Sequence, residues 1–163
     1  MARQVRDEIA LVWGPTGAAV VIHRLAPGVI YLTGIRNFDG PFADGPMCDF
    51  DREIEAHGSL ELFLDLRNVE RGSRRSREPW KQWATKNGKR HRSHVLVRSS
   101  LLSMAISVIA MASGTVTQSY ADEAAFLREL QRKLPGLRAL PAIPAWIAET
   151  LAASTARPQG STA

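Results

Sequence analysis

The chain has 163 residues, 45% of them hydrophobic and 23% charged, with a net charge of +5, which is the size and composition of one ordinary globular domain. A single cysteine, Cys48, excludes an intrachain disulfide, and a chain of this length needs neither a disulfide nor a structural metal to fold. Near the N-terminus, acidic residues occupy the positions where a secretory signal peptide has an apolar run. The longest apolar stretch, residues 101–112, is too short to span a bilayer. We therefore expect a cytoplasmic protein.

The N-terminal quarter of the chain predicts β-strands that are rich in β-branched residues. The turn Ala26-Pro27-Gly28 joins the last two of these strands into a hairpin, and a turn at residues 14–17 closes an earlier strand. The predicted strands cover residues 9–13, 18–25 and 29–35.

The remainder of the chain alternates helices with strands, so an initial hairpin is followed by the order βαβαβα. This order predicts an α/β fold, a mixed sheet with helices packed on it. The strand Leu60–Leu66 is mostly apolar on both faces, as in a central parallel strand, and we expect it beside the strand that contains residues 94–97. The predicted helices cover residues 47–56, 76–88, 101–113, 122–134 and 145–152, and the predicted strands cover 60–66, 93–99 and 115–119.

Two serines are predicted to cap helices, Ser76 at the start of the second helix and Ser100 at the start of the third. The third helix is so apolar that we expect it to be a buried core helix. Residues 1–134 are predicted to form a single domain. Residues 135–163 are predicted to be an extension with a short docking helix and a disordered tail.

The order of elements resembles the STAS domain (sulphate transporter and anti-sigma-factor antagonist), in its divergent bacterial branch. The resemblance covers residues 18–134 and is carried by the hairpin, the strand ending in Leu64-Asp65-Leu66 with its following loop and helix, the strand His94–Val97, and the helix start at 120–127. It implies a non-enzymatic regulatory or protein-interaction module, an anti-sigma-factor-antagonist-like switch, whose partner is a kinase or another regulator.

Regulatory STAS proteins are phosphorylated on a serine that follows the Asp-Leu strand, in an Asp-Ser-Ser-Gly-like stretch. The corresponding loop here has arginines around its serines and lacks the acidic–serine pair. By approximate position, the resemblance implies Ser73 and Ser76 as the candidates for phosphorylation.

Charge is unevenly distributed along the chain. Residues 67–98 hold 11 of the 21 Lys and Arg with two acids, whereas residues 39–65 hold eight acids with one base. Arginines around a helix N-terminus suit a phosphate or a carboxylate, so this segment is a candidate site for an anion or an acidic partner; the alternative is a solvated loop. The candidate residues are Arg67, Arg71, Arg74, Arg75 and Arg77. The separation of a basic and an acidic region also favours self-association, so a second copy of the chain, forming a homo-oligomer, is another possible partner.

Other functional classes are weighed against the residues that each would need. A carrier or sensor of a small apolar or anionic molecule is an alternative, since small residues along 101–113 leave room beside that helix. Nucleic-acid binding through residues 67–98 is a weaker alternative. The helical spacing of Trp80 and Trp83 indicates that at least one of the two tryptophans packs in the core instead of stacking on bases.

No catalytic motif appears, so we expect no enzyme and no cofactor. His91 and His94 have a ligand-like spacing without nearby cysteines or carboxylates, so we expect no metal.

Overall fold

The structure, a computed structural model, describes residues 1–14, 17–36, 45–69 and 74–156, of which 74–77 and 156 are described by their backbone alone. Within these ranges one sheet contains seven strands, and their order in the sheet is their order in the chain. The first four strands are antiparallel and the last four are parallel, with β4 shared. The strands are β1 (Ala2–Arg6), β2 (Ile9–Trp13), β3 (Ala19–Ala26), β4 (Val29–Ile35), β5 (Leu60–Asp65), β6 (His91–Leu96) and β7 (Val116–Tyr120).

Helices cover both faces of the sheet. The described helices are α1 (Met47–His57), α2 (Arg74–Asn87), α3 (Ser100–Ser113), α4 (Glu123–Lys133) and α5 (Ala145–Ala156). The first three connect the parallel strands and pack on one face, whereas α4 and α5 pack on the other. Right-handed crossovers that all progress in one direction along a sheet place their helices on the same face, which explains this division.

The side chains of β5 alternate between two cores. Leu62 and Leu64 pack in the core under α1 and α2. Phe63 points the other way and packs against Phe126 of α4. Farther along that second face, α5 buries Ile147 against β2 and β3. Because β5 is buried on both faces, consecutive apolar side chains at positions 62–64 are explained.

The mixed sheet with an initial hairpin and the βαβαβα order is confirmed. β5 and β6 are parallel neighbours, with Leu64 opposite Val95. The prediction missed β1, an edge strand whose residues Arg3, Gln4 and Arg6 leave no apolar alternation to detect. Trp83 is buried, so the prediction that at least one tryptophan of α2 belongs to the core is also confirmed.

Both predicted helix caps are wrong in position. α2 begins at Arg74, so the backbone of Ser76 lies inside its first turn rather than before it. The cap of α3 is Ser99, whose backbone is extended and whose side chain accepts a hydrogen bond from the Leu102 amide at 3.3 Å. Neighbouring serines at 99 and 100 offer the same side chain, and the backbone conformation decides which of them caps the helix.

Candidate functional site

The outer face of α3 carries a row of exposed apolar side chains. Leu101, Met104, Val108 and Met111 have exposed fractions of 72, 59, 59 and 76%. Their spacing of three, four and three residues places them in one stripe along the helix. No residue of α3 is buried and none carries a charge. The prediction of a buried core helix is therefore wrong, because α3 covers the end of the sheet and no other described element packs outside it.

The strand β7 lies next to α3 and forms the edge of the described sheet, pairing with β6 on one side. Edge strands are commonly protected from further pairing by charges or proline, and β7 has neither. The opposite edge, β1, carries Arg3 and Arg6. We call the apolar stripe of α3 together with the free edge of β7 the α3–β7 surface. An uncharged apolar surface of this kind is typical of an interaction site.

An apolar cavity of about 120 Å³ lies beneath α3, between α2 and the sheet. Leucines of β5 form its floor, Trp80 and Trp83 of α2 form one wall, and the inner residues of α3 form its roof. Two of these roof residues are alanines, Ala105 and Ala110, which leave the space between helix and sheet unfilled.

One end of the cavity is polar. Ser93, Thr115 and Thr117 line it, and the hydroxyls of Thr115 and Thr117 are 3.3 Å apart. His91 lines it as well, with Nδ1 lying 3.0 Å from the carbonyl oxygen of Asn87. Since a carbonyl only accepts, Nδ1 carries the proton and Nε2 of the neutral ring is an acceptor. Burial lowers the pKa of His91, which keeps the ring neutral at pH 7.

A second polar cluster surrounds Asp65, at the carboxyl end of β5. The Tyr31 hydroxyl donates to Asp65 at 2.9 Å, and the Arg67 guanidinium donates to it at 2.7 and 2.9 Å. Arg67 also pairs with Glu123 at the start of α4. Burial alone would raise the pKa of Asp65, but the hydrogen bonds from Arg67 and Tyr31 lower it overall. The cluster therefore ties β4, β5 and α4 together around a buried carboxylate.

The arginines predicted to bind an anion are divided by the structure. Arg67 is bound to two carboxylates, so an anion there would compete with Asp65 and Glu123. The backbones of Arg74, Arg75 and Arg77 lie at the start of α2, as does that of Ser76. Arg71 and Ser73 lie outside the described residues. The anion site and the phosphorylation sites remain predictions.

His94 belongs to a buried cluster that sequence reasoning missed. Its ring stacks on Phe63 at 4.5 Å and contacts the Tyr120 hydroxyl at 3.0 Å and the Glu61 carboxylate at 3.1 Å. Lys133 of α4 donates to the same carboxylate at 2.6 Å. Burial lowers the pKa of His94. These partners are far apart in sequence and carry no shared motif, so only the fold brings them together.

Neither histidine of the ligand-like pair has a metal-site environment in the described ranges. Within these ranges no group of three or more His, Cys, Asp or Glu side chains could hold a metal ion. The rings of His91 and His94 are instead engaged by the hydrogen-bonding partners given above. Of the helices in the same ranges, none has the length and apolar content needed to cross a membrane.

Comparison with known proteins finds similarity to this chain among solved structures. No protein-family model matches the chain, and no curated protein matches it. The chain is similar to the crystal structure of an uncharacterized protein from the DUF3478 family, with a SpoIIAA-like fold, from Shewanella loihica PV-4. The TM-score is 0.54 and the identity 12%, over 78% of this chain and 98% of that chain. At this identity the likeness shows the fold alone. With the observed sheet order, it confirms the resemblance inferred from the sequence: the chain has a SpoIIAA-like, and thus STAS-like, α/β fold.

Proposed function

We propose that this chain is a non-enzymatic protein-interaction module of STAS-like type, whose partner packs on the α3–β7 surface. The observation that carries this proposal is the uncharged α3 with four exposed apolar side chains in one stripe. Burying apolar surface contributes roughly 25 cal/mol per Å², so covering the stripe is favourable. The three-four spacing is that of helices packed side by side, and a partner helix with its own apolar stripe fits it.

The absence of charge from α3 favours a protein over a membrane or a nucleic acid. Helices that lie in a membrane interface carry Lys and Arg on their polar face, and nucleic-acid surfaces need such side chains against phosphates. The 14 residues of α3 contain neither type. The free edge of β7 supports the same conclusion, because a partner strand can extend a sheet at an unprotected edge.

Cross-linking in the native host tests the surface. A photo-reactive amino acid at position 104, in the stripe, is expected to form an adduct with one partner protein. The same amino acid at position 5, which is exposed on β1 at the opposite edge, is not. Adding Val108→Gln to the position-104 probe should reduce the adduct at least fivefold. Equal adducts at positions 5 and 104, or none at either, would contradict the proposal.

A pair of stability variants provides the control for folding. Met104→Gln changes an exposed residue and should alter the free energy of unfolding by less than about 0.5 kcal/mol. Ile106→Gln, two residues along, changes a side chain that packs against the core and should lower it by about 1–3 kcal/mol. Urea denaturation followed by circular dichroism measures both values. Equal losses would mean that α3 is turned differently on the sheet.

The regulatory part of the proposal is a phosphate on Ser73 or Ser76. Ser76 supports it because its backbone lies in the first turn of α2, where free N–H groups and the helix dipole favour negative charge. α2 packs directly against α3, so a change at the start of α2 can reach the α3–β7 surface. Ser73 is retained by its position in the sequence.

A single peptide reports on both serines. Chymotryptic cleavage after Leu66 and after Trp80 releases residues 67–80, which contain both Ser73 and Ser76. Mass spectrometry of protein from its native host is expected to find this peptide with one phosphate, and to find none there after Ser73→Ala together with Ser76→Ala. An unmodified peptide under every growth condition would exclude the switch and leave the partner surface untouched.

A further inference from the structure

We propose that the cavity beneath α3 binds a small, uncharged, mostly apolar molecule that carries one hydrogen-bond donor, of the size and kind of a monocyclic phenol. This inference does not rest on the partner surface, since the cavity lies on the inner side of α3. Its volume is about 120 Å³. A dry apolar cavity of about 150 Å³ binds benzene. This cavity is somewhat smaller but partly open to solvent, so one six-membered ring is the largest rigid guest that we expect it to take.

The cavity is unusual for a domain core. Protein interiors are packed as densely as organic crystals, and gaps larger than a water molecule are few. Here the gap is maintained by three alanines, Ala84 on α2 and Ala105 and Ala110 on α3. A leucine at any of these positions would fill part of the space. The three alanines therefore leave room where the two helices approach the sheet, between Trp83 and Ile106.

The lining selects an uncharged guest. None of the side chains that line the cavity is Lys, Arg, Asp or Glu. An ion placed there would lose its hydration without gaining an opposite charge, which is far more costly than burying a neutral molecule.

The polar end of the cavity selects a donor. His91 is 7% exposed, and its Nδ1 is occupied by the Asn87 carbonyl. Its Nε2 is thus an acceptor without a hydrogen-bond partner among the described residues, on a side chain that is itself mostly buried. Ser93, also 7% exposed, lies at the same end. A guest hydroxyl that donates to Nε2 would satisfy it, whereas an unsubstituted ring would leave it unpaired.

Fluorine NMR of the full chain with 4-fluorophenol and fluorobenzene tests the proposal. The first compound carries a donor and the second does not. We expect saturable binding of 4-fluorophenol to the wild type, and at least fivefold weaker binding of fluorobenzene. The absence of saturable binding of 4-fluorophenol at millimolar concentration would overturn the site, and equal binding of the two compounds would overturn the role of the donor.

Two variants on the same helix locate the binding. Ala105→Leu fills the cavity and should weaken binding of 4-fluorophenol at least tenfold. Ala112→Leu makes the same change on the exposed side of α3 and should leave binding within twofold. Equal affinities in the two variants would overturn the location. If Ala105→Leu does not fold, as shown by circular dichroism, Ala84→Leu fills the same cavity from α2 and must show the same loss.

Discussion

Replacing Asp65 with alanine is expected to lower the free energy of unfolding by about 3–5 kcal/mol, the usual cost of removing one partner of a buried ion pair. The Asp65 side chain is 5% exposed and accepts hydrogen bonds from Tyr31 and Arg67. Its removal leaves the Tyr31 hydroxyl buried without this acceptor, and Arg67 with only the carboxylate of Glu123. Urea denaturation at pH 7 measures the loss.

The matched control removes the other carboxylate that binds the same arginine. The Glu123 side chain is 55% exposed, so Glu123→Ala should cost less than about 1 kcal/mol. If both variants lost equally little, Asp65 would not be the anchor of the cluster.

The loss caused by Asp65→Ala should also depend on pH. Because the pKa of Asp65 is lower in the folded protein than in the unfolded chain, the carboxylate stabilises the fold fully above the unfolded value of about 4. This stabilisation is lost as the pH falls through the folded pKa. The difference between wild type and variant should therefore be constant from pH 6 to 8 and shrink below about pH 4. A difference that grew in acid would contradict the assigned direction.

Replacing Trp83 with alanine is expected to cost about 3–5 kcal/mol, as for other large aromatic side chains removed from a core. Trp83 is 6% exposed, and its ring centroid lies 5.3 Å from that of Phe50 and 4.6 Å from that of His91. Its indole N–H donates to Asp51 of α1 at 2.8 Å. The substitution therefore removes packing and a link between α1 and α2 together.

Trp80→Ala provides the comparison within the same helix. Trp80 is half-buried and also contacts Phe50, at 5.7 Å between ring centroids, so its loss should cost about 1–2 kcal/mol. Denaturation curves of both variants give the order of the two losses. A larger loss for Trp80 would mean that α2 turns its other face to the core, which would also remove Trp83 from the wall of the cavity.

The parts of the candidate site differ in how far the sequence could predict them. The apolar character of residues 101–113 is plain in the sequence, and the small residues there indicated room beside the helix. The cluster of Tyr31, Asp65, Arg67 and Glu123 was not predictable, because its members come from β4, the end of β5 with the loop after it, and α4, and they form no motif. The acceptor at His91 was not predictable either, since it depends on the carbonyl that the end of α2 presents to the ring.

By itself the sequence determined the alternation of strands and helices and the central place of β5, because side-chain periodicity and turn residues are local properties of the chain. Only the tertiary structure decided which apolar helix would remain exposed. The burial of a helix depends on what packs against its outer face. The strands follow one another in chain order across the sheet, so α3 lies over the last strand, and no other described element packs outside it. The same position leaves the space beneath α3 that its alanines do not fill.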